Sequence, residues 1–297
     1  ITCGNGTDAL TMAMMTWGIK EGDAVFVPDF TFFSTGEIVS HAGAVPVFVD
    51  VDMDTFNISA ESLEKAVKKT LDEGILKPQA VVAVDLFGLS ADFAAVRAVA
   101  DKYGLKVLED GAQGFGGSIE GKVACSFGDI STTSFFPAKP LGCYGDGGAV
   151  FTDDDEIAAL LESIRVHGKG EMKYDNVRIG LNSRLDTIQA AVLDVKLRAF
   201  DDYELVDINK AADRYTEKLS VLGEKVKTPV IPEGFYSSWA QYTIQLSDRK
   251  TRDDLQAALK AEGIPSMVYY PKPMHRQEAF AGQAYDDAEF PNTLKLC

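Results

Sequence analysis

The residues best suited to chemistry in this chain lie in three short runs. The densest is Thr133-Ser134-Phe135-Phe136-Pro137-Ala138-Lys139-Pro140-Leu141-Gly142-Cys143-Tyr144-Gly145-Asp146-Gly147-Gly148, where one lysine stands among aromatic and small residues ahead of a glycine-rich turn. Most lysines are solvated surface groups. In apolar surroundings, however, desolvation penalises the ammonium, lowers its pKa and frees the amine to attack a carbonyl. Ser134 ends a hydroxyl-rich strand and is placed to donate to a phosphate oxygen. The second run, Val107-Leu108-Glu109-Asp110-Gly111-Ala112-Gln113, closes a buried strand. Asp110 reads there either as a cap for the next turn or as a carboxylate that keeps a ring nitrogen protonated, which a pyridine cofactor needs to act as an electron sink. The third run, Gly4-Asn5-Gly6-Thr7-Asp8, directly precedes a helix. Small residues let the backbone approach an anion, and the free N–H groups at the positive end of the helix dipole hold a phosphate. An ordinary helix N-cap has the same appearance. Ala9 stands where a dinucleotide G-x-G-x-x-G fingerprint requires glycine.

These runs depend on the elements that carry them. Residues 24–28, 45–50, 80–85 and 105–109 are short, Val-rich and bounded by Gly, Pro or Asp, and predict strands. Between them, residues 8–17 place Leu10, Ala13, Met14 and Trp17 on one helical face. Helices follow at 34–42 (ended by Gly43), 60–70, and 91–103 (ended by Gly104). Strands near 129–135 and 148–152 frame the lysine run, and a helix is predicted over 154–165. Alternating strands and helices, with few polar residues in the strands, imply an α/β fold with a mostly parallel sheet covered on both faces in three αβα layers. Ligand loops in such sheets sit at the carboxyl ends of the strands. Beyond residue 180 the pattern changes to a long helix over 185–220, a strand at Gln241–Leu246, a helix over 251–262 ended by Gly263, and a strand at Ser266–Tyr270. That order suits a smaller α+β domain. The expected division is a large ligand-binding domain over 1–184 and a connecting helix with a small C-terminal domain over 185–297.

Composition limits the partners. The net charge of −16, from 29 Lys+Arg against 45 Asp+Glu, repels nucleic acid and anionic membranes. A phosphate-bearing ligand must then be held by local backbone dipoles and a few positioned cations. No apolar run approaches the ~18 residues that span a membrane. Cys3, Cys125, Cys143 and Cys297 have neither zinc-like nor disulfide-framework spacing, and with no signal peptide the reading is a reduced cytosol. His41, His167 and His275 are not paired at metal-ligand spacing, so no metal site is expected. The chain begins at Ile1 in what reads as the end of a strand and stops in mid-pattern at Leu294-Lys295-Leu296-Cys297; it reads as lacking pieces at both ends.

Taken together, G-T-D-A-L, D-x-A-Q and S-F-F-P-x-K-x-L-G-x-x-G-D-G-G, in that order, resemble the DegT-type sugar aminotransferases, a fold-type I family that uses pyridoxal 5′-phosphate (PLP). The resemblance covers essentially the whole chain. It implies that Lys139 holds the cofactor covalently, that Asp110 faces the pyridine nitrogen and Gln113 the phenolic oxygen, and that Gly6, Thr7 and Ser134, with Asp8 of the same run, hold the phosphate. Phe32 in Thr31-Phe32-Phe33-Ser34-Thr35 matches the aromatic that stacks on the cofactor ring; an ordinary core aromatic is the alternative. The resemblance further implies a homodimer with shared active sites, in which Asn182 of Arg178-Ile179-Gly180-Leu181-Asn182-Ser183-Arg184 reaches the partner subunit's cofactor phosphate. His167-Gly168 fits another element of the family. Arg184 is then a candidate for a negative charge on the substrate, against the alternative of a local ion pair near a helix start.

Within the family, Phe-Phe-Pro-x-Lys-Pro-Leu-Gly-Cys-Tyr-Gly-Asp-Gly-Gly, Asn-Ser-Arg-Leu-Asp-Thr and Ala-Gln-Tyr-Thr look closest to one branch. It comprises the UDP-2-acetamido-2-deoxy-3-oxo-D-glucuronate 3-aminotransferases, which use L-glutamate and serve bacterial O-antigen synthesis. At Val268-Tyr269-Tyr270-Pro271, Tyr269 occupies a place where that branch commonly has His, and tyrosine cannot carry the imidazolium charge. Tyr269 and Tyr270 are the expected substrate-side residues. Related sugar dehydratases resemble the family with His in place of the lysine, which Lys139 argues against. A cofactor-binding regulatory or structural relative without turnover, and a 4-keto sugar aminotransferase, are the alternatives carried forward. An NTPase or nicotinamide oxidoreductase lacks its motif here.

Overall fold

Strand alternation divides the core into two halves, because successive side chains point to opposite faces of a sheet. The computed structural model describes residues 1–172 and 174–297. In chain order its elements begin with β1 (Thr2–Cys3), α1 (Gly6–Thr16), β2 (Asp23–Pro28), α2 (Ser34–His41), β3 (Val45–Val49), α3 (Ala60–Glu73) and β4 (Lys77–Val84). Next come α4 (Phe93–Tyr103), β5 (Lys106–Asp110), β6 (Ser118–Ile119), β7 (Lys122–Val123), β8 (Ile130–Ser134), β9 (Gly148–Phe151) and α5 (Asp155–Ile164). The last part holds α6 (Thr187–Ala199), α7 (Leu205–Leu219), β10 (Val226–Lys227), β11 (Phe235–Tyr236), β12 (Gln245–Leu246), α8 (Arg249–Ala261) and α9 (Pro291–Leu296).

Seven strands form the main sheet in the order β1-β9-β8-β5-β4-β2-β3. From β8 to β3 all neighbours are parallel, while β9 runs antiparallel to both β8 and β1. Val25, Val27, Ala80, Val82, Leu108 and Ile130 pack on one face with Leu10, Met14, Ile38 and Leu161 of α1, α2 and α5. Phe26, Val81, Ala83 and Val107 pack on the other with Leu63, Val67, Val96 and Ala100 of α3 and α4. This is the three-layer α/β arrangement expected from the sequence. Its helices start where side chains satisfy orphan N–H groups: Asn5 Oδ1 accepts from Asp8, Ser59 Oγ from Ser62, and Asp92 Oδ1 from Ala95. Gly74 and Gly104 end α3 and α4 in the left-handed region that favours glycine.

The later segments differ from expectation. The long helix over 185–220 is α6 and α7 joined by a π-helical turn at Phe200–Glu204, which keeps Phe200 buried against Phe115, Leu193 and Leu205. Only Gln245–Leu246 of the strand expected at 241–246 is paired, with β10. Ser266–Tyr270 pairs with no strand among the described residues. Tyr269 and Tyr270 instead pack their rings against Phe87, and Tyr270 also against Phe30.

Residues beyond Tyr270 return to the main sheet. Met274, Phe280 and Phe290 enter the core beside α1 and α2, and Asp50 caps α9 through the N–H groups of Asn292 and Thr293. His275 fixes this return. Its Nδ1 lies 2.6 Å from Asp29 Oδ2 at the end of β2, its Nε2 3.0 Å from Asp287 Oδ1, and its ring stacks on Phe290 at 4.4 Å. Burial works against a charged imidazole, but Asp29 and Asp287 outweigh it and hold the pKa above 6.5. Asp29 is itself raised by burial and partly restored by His275. Both groups therefore bind protons more tightly folded than unfolded. The His275 contribution is complete below the unfolded imidazole pKa and is lost as pH rises through its elevated folded value; that of Asp29 is complete only below the unfolded carboxyl value of 3.8 and is lost as pH rises through its own raised value. Denaturant titrations should show stability falling as pH rises above 6.5. His275→Leu should remove the imidazole's part of that slope and cost about 3 kcal/mol at neutral pH by stranding Asp29.

Candidate active site

The parallel strands β2, β4, β5 and β8 present their carboxyl ends at one edge of the sheet, and the loops there assemble the site. Asp110, the last residue of β5, is buried. One oxygen accepts from Thr35 Oγ1 and the other from the Ala112 N–H, both at 3.2 Å. Burial lifts its pKa above the usual carboxylate value, while the Ala112 bond, the Lys139 charge and Thr35 pull it down. Two long bonds leave this carboxylate able to gain from a further cationic donor.

Lys139 sits in the return loop after β8 and is half-buried. The loop is held by Phe135 N–H to Gly147 O and Cys143 N–H to Phe135 O, both 2.8 Å. Gly142 is required at its crossing, because a Cβ there would come within 2.7 Å of the Phe136 and Pro137 carbonyl oxygens. Burial lowers the Lys139 pKa and Asp110 raises it. No hydrogen bond or ion pair holds Lys139 Nζ among the described residues. The result is an amine with a weakened hold on its proton, electrostatically coupled to one buried carboxylate and otherwise free.

The start of α1 supplies anion donors. Asn5 caps Asp8 N–H at 2.7 Å, and the N–H groups of Gly6 and Thr7 have no acceptor among the described residues. A Cβ on Gly6 would lie 2.7 Å from Ser134 Cβ, so glycine is what lets the helix start approach β8. Ser134 Oγ accepts from Phe136 N–H at 3.3 Å and keeps its own proton to give. Thr7 Oγ1 and Ser34 Oγ share a bond of 2.8 Å. The cluster fits a phosphate group: orphan helix N–H donors and hydroxyls meet where no side chain fits. With a protonatable-ring partner in Asp110 and an amine in Lys139, the donor set matches the functional groups of PLP.

Gln113 is buried with both ends of its amide engaged. Its Oε1 accepts from Phe87 N–H at 2.6 Å, and its Nε2 donates to Tyr270 Oη at 3.5 Å. Burial pushes the Tyr270 hydroxyl up to about 12. Phe32 is 55% exposed and pairs with no other aromatic ring among the described residues, which suits a ring surface open to a ligand and not a core aromatic. Asp8, expected at the phosphate, is engaged elsewhere: its N–H belongs to Asn5, and its Oδ2 accepts from Ser183 Oγ at 2.6 Å. Ser183 in turn accepts from Gly4 N–H at 2.8 Å, so Asp8 ties the residue 178–186 run to the helix start. Asn182 and Arg184, on either side of Ser183, are exposed, and the Arg184 guanidinium has no partner among the described residues. His167 pairs its N–H with Leu181 O at 2.7 Å and helps hold that run. Tyr269 packs beside Phe87 at a ring distance of 6.0 Å.

Sequence reasoning passed over Thr35, Ser34, Ser183, Phe87 and Ser238. Ser238 Oγ donates to Gln113 O at 2.9 Å and links the later part of the chain to the site. Thr35 lay in a run already singled out, but nothing local ties it to a carboxylate 75 positions away.

Among known proteins, the model of the DegT/DnrJ/EryC1/StrS aminotransferase family matches residues 1–297. A UDP-2-acetamido-2-deoxy-3-oxo-D-glucuronate aminotransferase of Pseudomonas aeruginosa is 44% identical over 283 residues, covering 95% of this chain and 75% of that protein. A protein of Geobacillus stearothermophilus described as a pleiotropic regulatory protein is 44% identical over 296 residues, covering 99% of this chain and 76% of that one. A solved DegT DnrJ EryC1 StrS aminotransferase from Brucella abortus superposes with a TM-score of 0.95 at 51% identity, covering 100% of this chain and 78% of that one.

The anion cradle can be tested without the cofactor. Gly6→Ala should weaken inorganic phosphate binding about tenfold in calorimetric titration, a loss of about 1.4 kcal/mol, because the new methyl group must push α1 away from Ser134.

Proposed function

The chain belongs to the DegT/DnrJ/EryC1/StrS aminotransferase family, and on that footing we propose that it transfers an amino group from L-glutamate to carbon 3 of UDP-2-acetamido-2-deoxy-3-oxo-D-glucuronate. It is a PLP-dependent aminotransferase acting on nucleotide-linked keto sugars. The finer reading of the substrate takes its support from the Pseudomonas aeruginosa relative. The observation that carries the chemistry is the pairing of an unbonded, partly desolvated Lys139 amine with the buried Asp110 carboxylate, beside a phosphate-sized set of donors.

When bound, PLP supplies the electron sink that makes loss of the substrate's α-proton feasible. Lys139 would hold the cofactor covalently, and when displaced by the incoming amine it would act as the general base at the substrate's Cα. Burial lowers its pKa, which suits that task, since an amine that holds its proton less tightly can more readily take one and return it. Asp110 would keep the ring nitrogen protonated through both halves of the reaction. Gln113, with its amide oxygen spent on Phe87 N–H and its NH₂ group on a long bond to Tyr270 Oη, would turn that NH₂ group to the phenolic-oxygen side. Gly6 and Thr7 N–H and the Ser134 and Thr7 hydroxyls would hold the phosphate, with Phe32 against the ring face. Arg184 is the cation assigned to the sugar carboxylate. Tyr269 and Tyr270 line the substrate side, and Tyr270 keeps its proton throughout because its pKa stands at about 12.

The active enzyme is proposed to be a homodimer. Met172, Val177, Ile179 and Ile188 are all more than half exposed on the stretch that also carries Asn182, and a second copy covering that face would bury them. Asn182 would then serve the partner subunit's phosphate. The setting is assigned to bacterial surface-polysaccharide synthesis, in O-antigen, in the cytoplasm; among the described residues no helix is long and apolar enough to cross a membrane. The regulatory relative from Geobacillus stearothermophilus keeps a second reading in view, a cofactor-binding protein without turnover.

Glutamate alone should convert the bound cofactor to its amino form in a half-reaction followed by absorbance; a regulator would leave the spectrum unchanged. In full turnover with glutamate, the UDP-linked 3-keto glucuronate should be preferred to its 6-hydroxyl counterpart and to dTDP-linked 4-keto sugars. Lys139→Ala should lose turnover and the borohydride-fixed cofactor on the Lys139 peptide. Mixing inactive Lys139→Ala with inactive Asn182→Ala subunits should restore activity toward one quarter of wild type, since mixed dimers keep one intact shared site in a random pairing; no recovery would refute shared sites.

A further inference from the structure

Asp85 is a fully buried acid that the reaction described above does not use. It follows β4 and meets two other buried carboxyls, Glu109 and Asp110 of β5. Their hydrogen bonds are unequally shared. Glu109 accepts from Cys125 N–H at 2.5 Å, Phe127 N–H at 2.7 Å, Gly128 N–H at 3.4 Å and Ser131 Oγ at 2.6 Å, the pattern that suits a charged carboxylate. Asp110 has two donors and faces Lys139. Asp85 Oδ1 accepts a single bond, from Ala91 N–H at 3.2 Å, and Oδ2 has no hydrogen-bond partner among the described residues, although the side chain lies against the Glu109 carboxyl.

A charge left there would be buried without compensation, and such a group takes up a proton instead. Burial, then the Glu109 charge, the side-chain contact with Glu109 and more weakly the Asp110 charge push Asp85 well above the carboxylate range, against the Ala91 bond. The other titratable groups around it are the Cys125 thiol, raised by its own burial, and Lys139 across Asp110.

Position gives this proton a purpose. The Asp85 N–H donates to Asp110 O at 3.0 Å, and a Cβ at Gly114 would fall 2.2 Å from Asp85 Oδ2 and one at Gly111 3.7 Å from it. The side chain is thus a spacer beneath the turn that carries both Asp110 and Gln113. We propose that Asp85 is a neutral carboxylic acid in the working enzyme and a positioning residue, fixing the Asp110–Gly114 turn without placing another negative charge beside Asp110. A charged Asp85 would favour a proton on Asp110 itself, which would then no longer accept one from a ring nitrogen. The positioning role rests on the cofactor reading above; the protonation is a property of the protein by itself.

Infrared spectra of the cofactor-free full chain in D₂O at neutral pH test the proton. A carbonyl stretch of a protonated carboxylic acid is expected in the wild type and in Asp110→Asn, and its loss is expected in Asp85→Asn. No such band in the wild type, or its survival in Asp85→Asn, overturns the proposal. Cofactor affinity tests the positioning. Asp85→Asn, a neutral group of the same shape, should bind PLP within about threefold of wild type, and Asp85→Ala about tenfold or more weakly. Equal losses in the two variants would show that charge is what the site uses, and overturn it. A wild-type protein that shows the band but binds no PLP would instead refute the cofactor reading, and with it the positioning role.

Discussion

Asp110 sets the terms for the rest of the site, because a carboxylate at the buried end of a strand is stable only if its surroundings repay its desolvation. Thr35 and Ala112 provide two bonds of modest length, and Lys139 provides charge. Everything else nearby is arranged so as not to interfere. The neighbouring Glu109 is turned away from the site and fully occupied by backbone donors and Ser131. Gln113, one turn further on, is immobilised at both ends of its amide. The site is thus a poised electrostatic arrangement with one acceptor left wanting and one amine left free.

How much of this was legible in the sequence follows from whether the signal is local. The strands of the main sheet were legible because burial on both faces demands continuous apolar residues, as in Val81–Val84 and Val25–Val27. The order of the three chemical runs was legible because a parallel sheet puts its strand ends on one edge. What failed was local pattern without a neighbour to meet it. Ser266–Tyr270 looks like a strand because Tyr269 and Tyr270 are aromatic, yet their rings are partly buried by packing on Phe87, and Tyr270 also on Phe30, with no ladder formed among the described residues. The break in the long helix at Phe200–Glu204 follows from where Phe200 must go: a Cβ on Gly116 would touch its ring at 2.5 Å, a contact no helical period encodes. Within the site, Lys139, Asp110 and Ser134 carried a chemical signature of their own. Thr35 and Ser183 are ordinary residues whose importance comes only from partners far along the chain.

The same contrast explains Asp8. Its place in a G-T-D run suggested the anion, but its carboxylate accepts from Ser183 Oγ, which ties α1 to the exposed run that bears Asn182 and Arg184. Two residues assigned to the substrate and the partner subunit therefore share an anchor with the phosphate cradle. The two halves of the site are mechanically connected, although their sequences are far apart.

The closeness of Gly6 to Ser134, and of Gly148 to Asn5, where a Cβ would lie 2.6 Å from the carbonyl oxygen, has a kinetic meaning as well. The cradle comes into being only when the first helix has docked onto the last strands of the large sheet, a contact of high sequence separation that is slow to form. A ligand held there stabilises the completed fold by mass action. A prosthetic group whose phosphate sits in this cradle would thereby add that part of its binding energy only to chains in which the docking is complete.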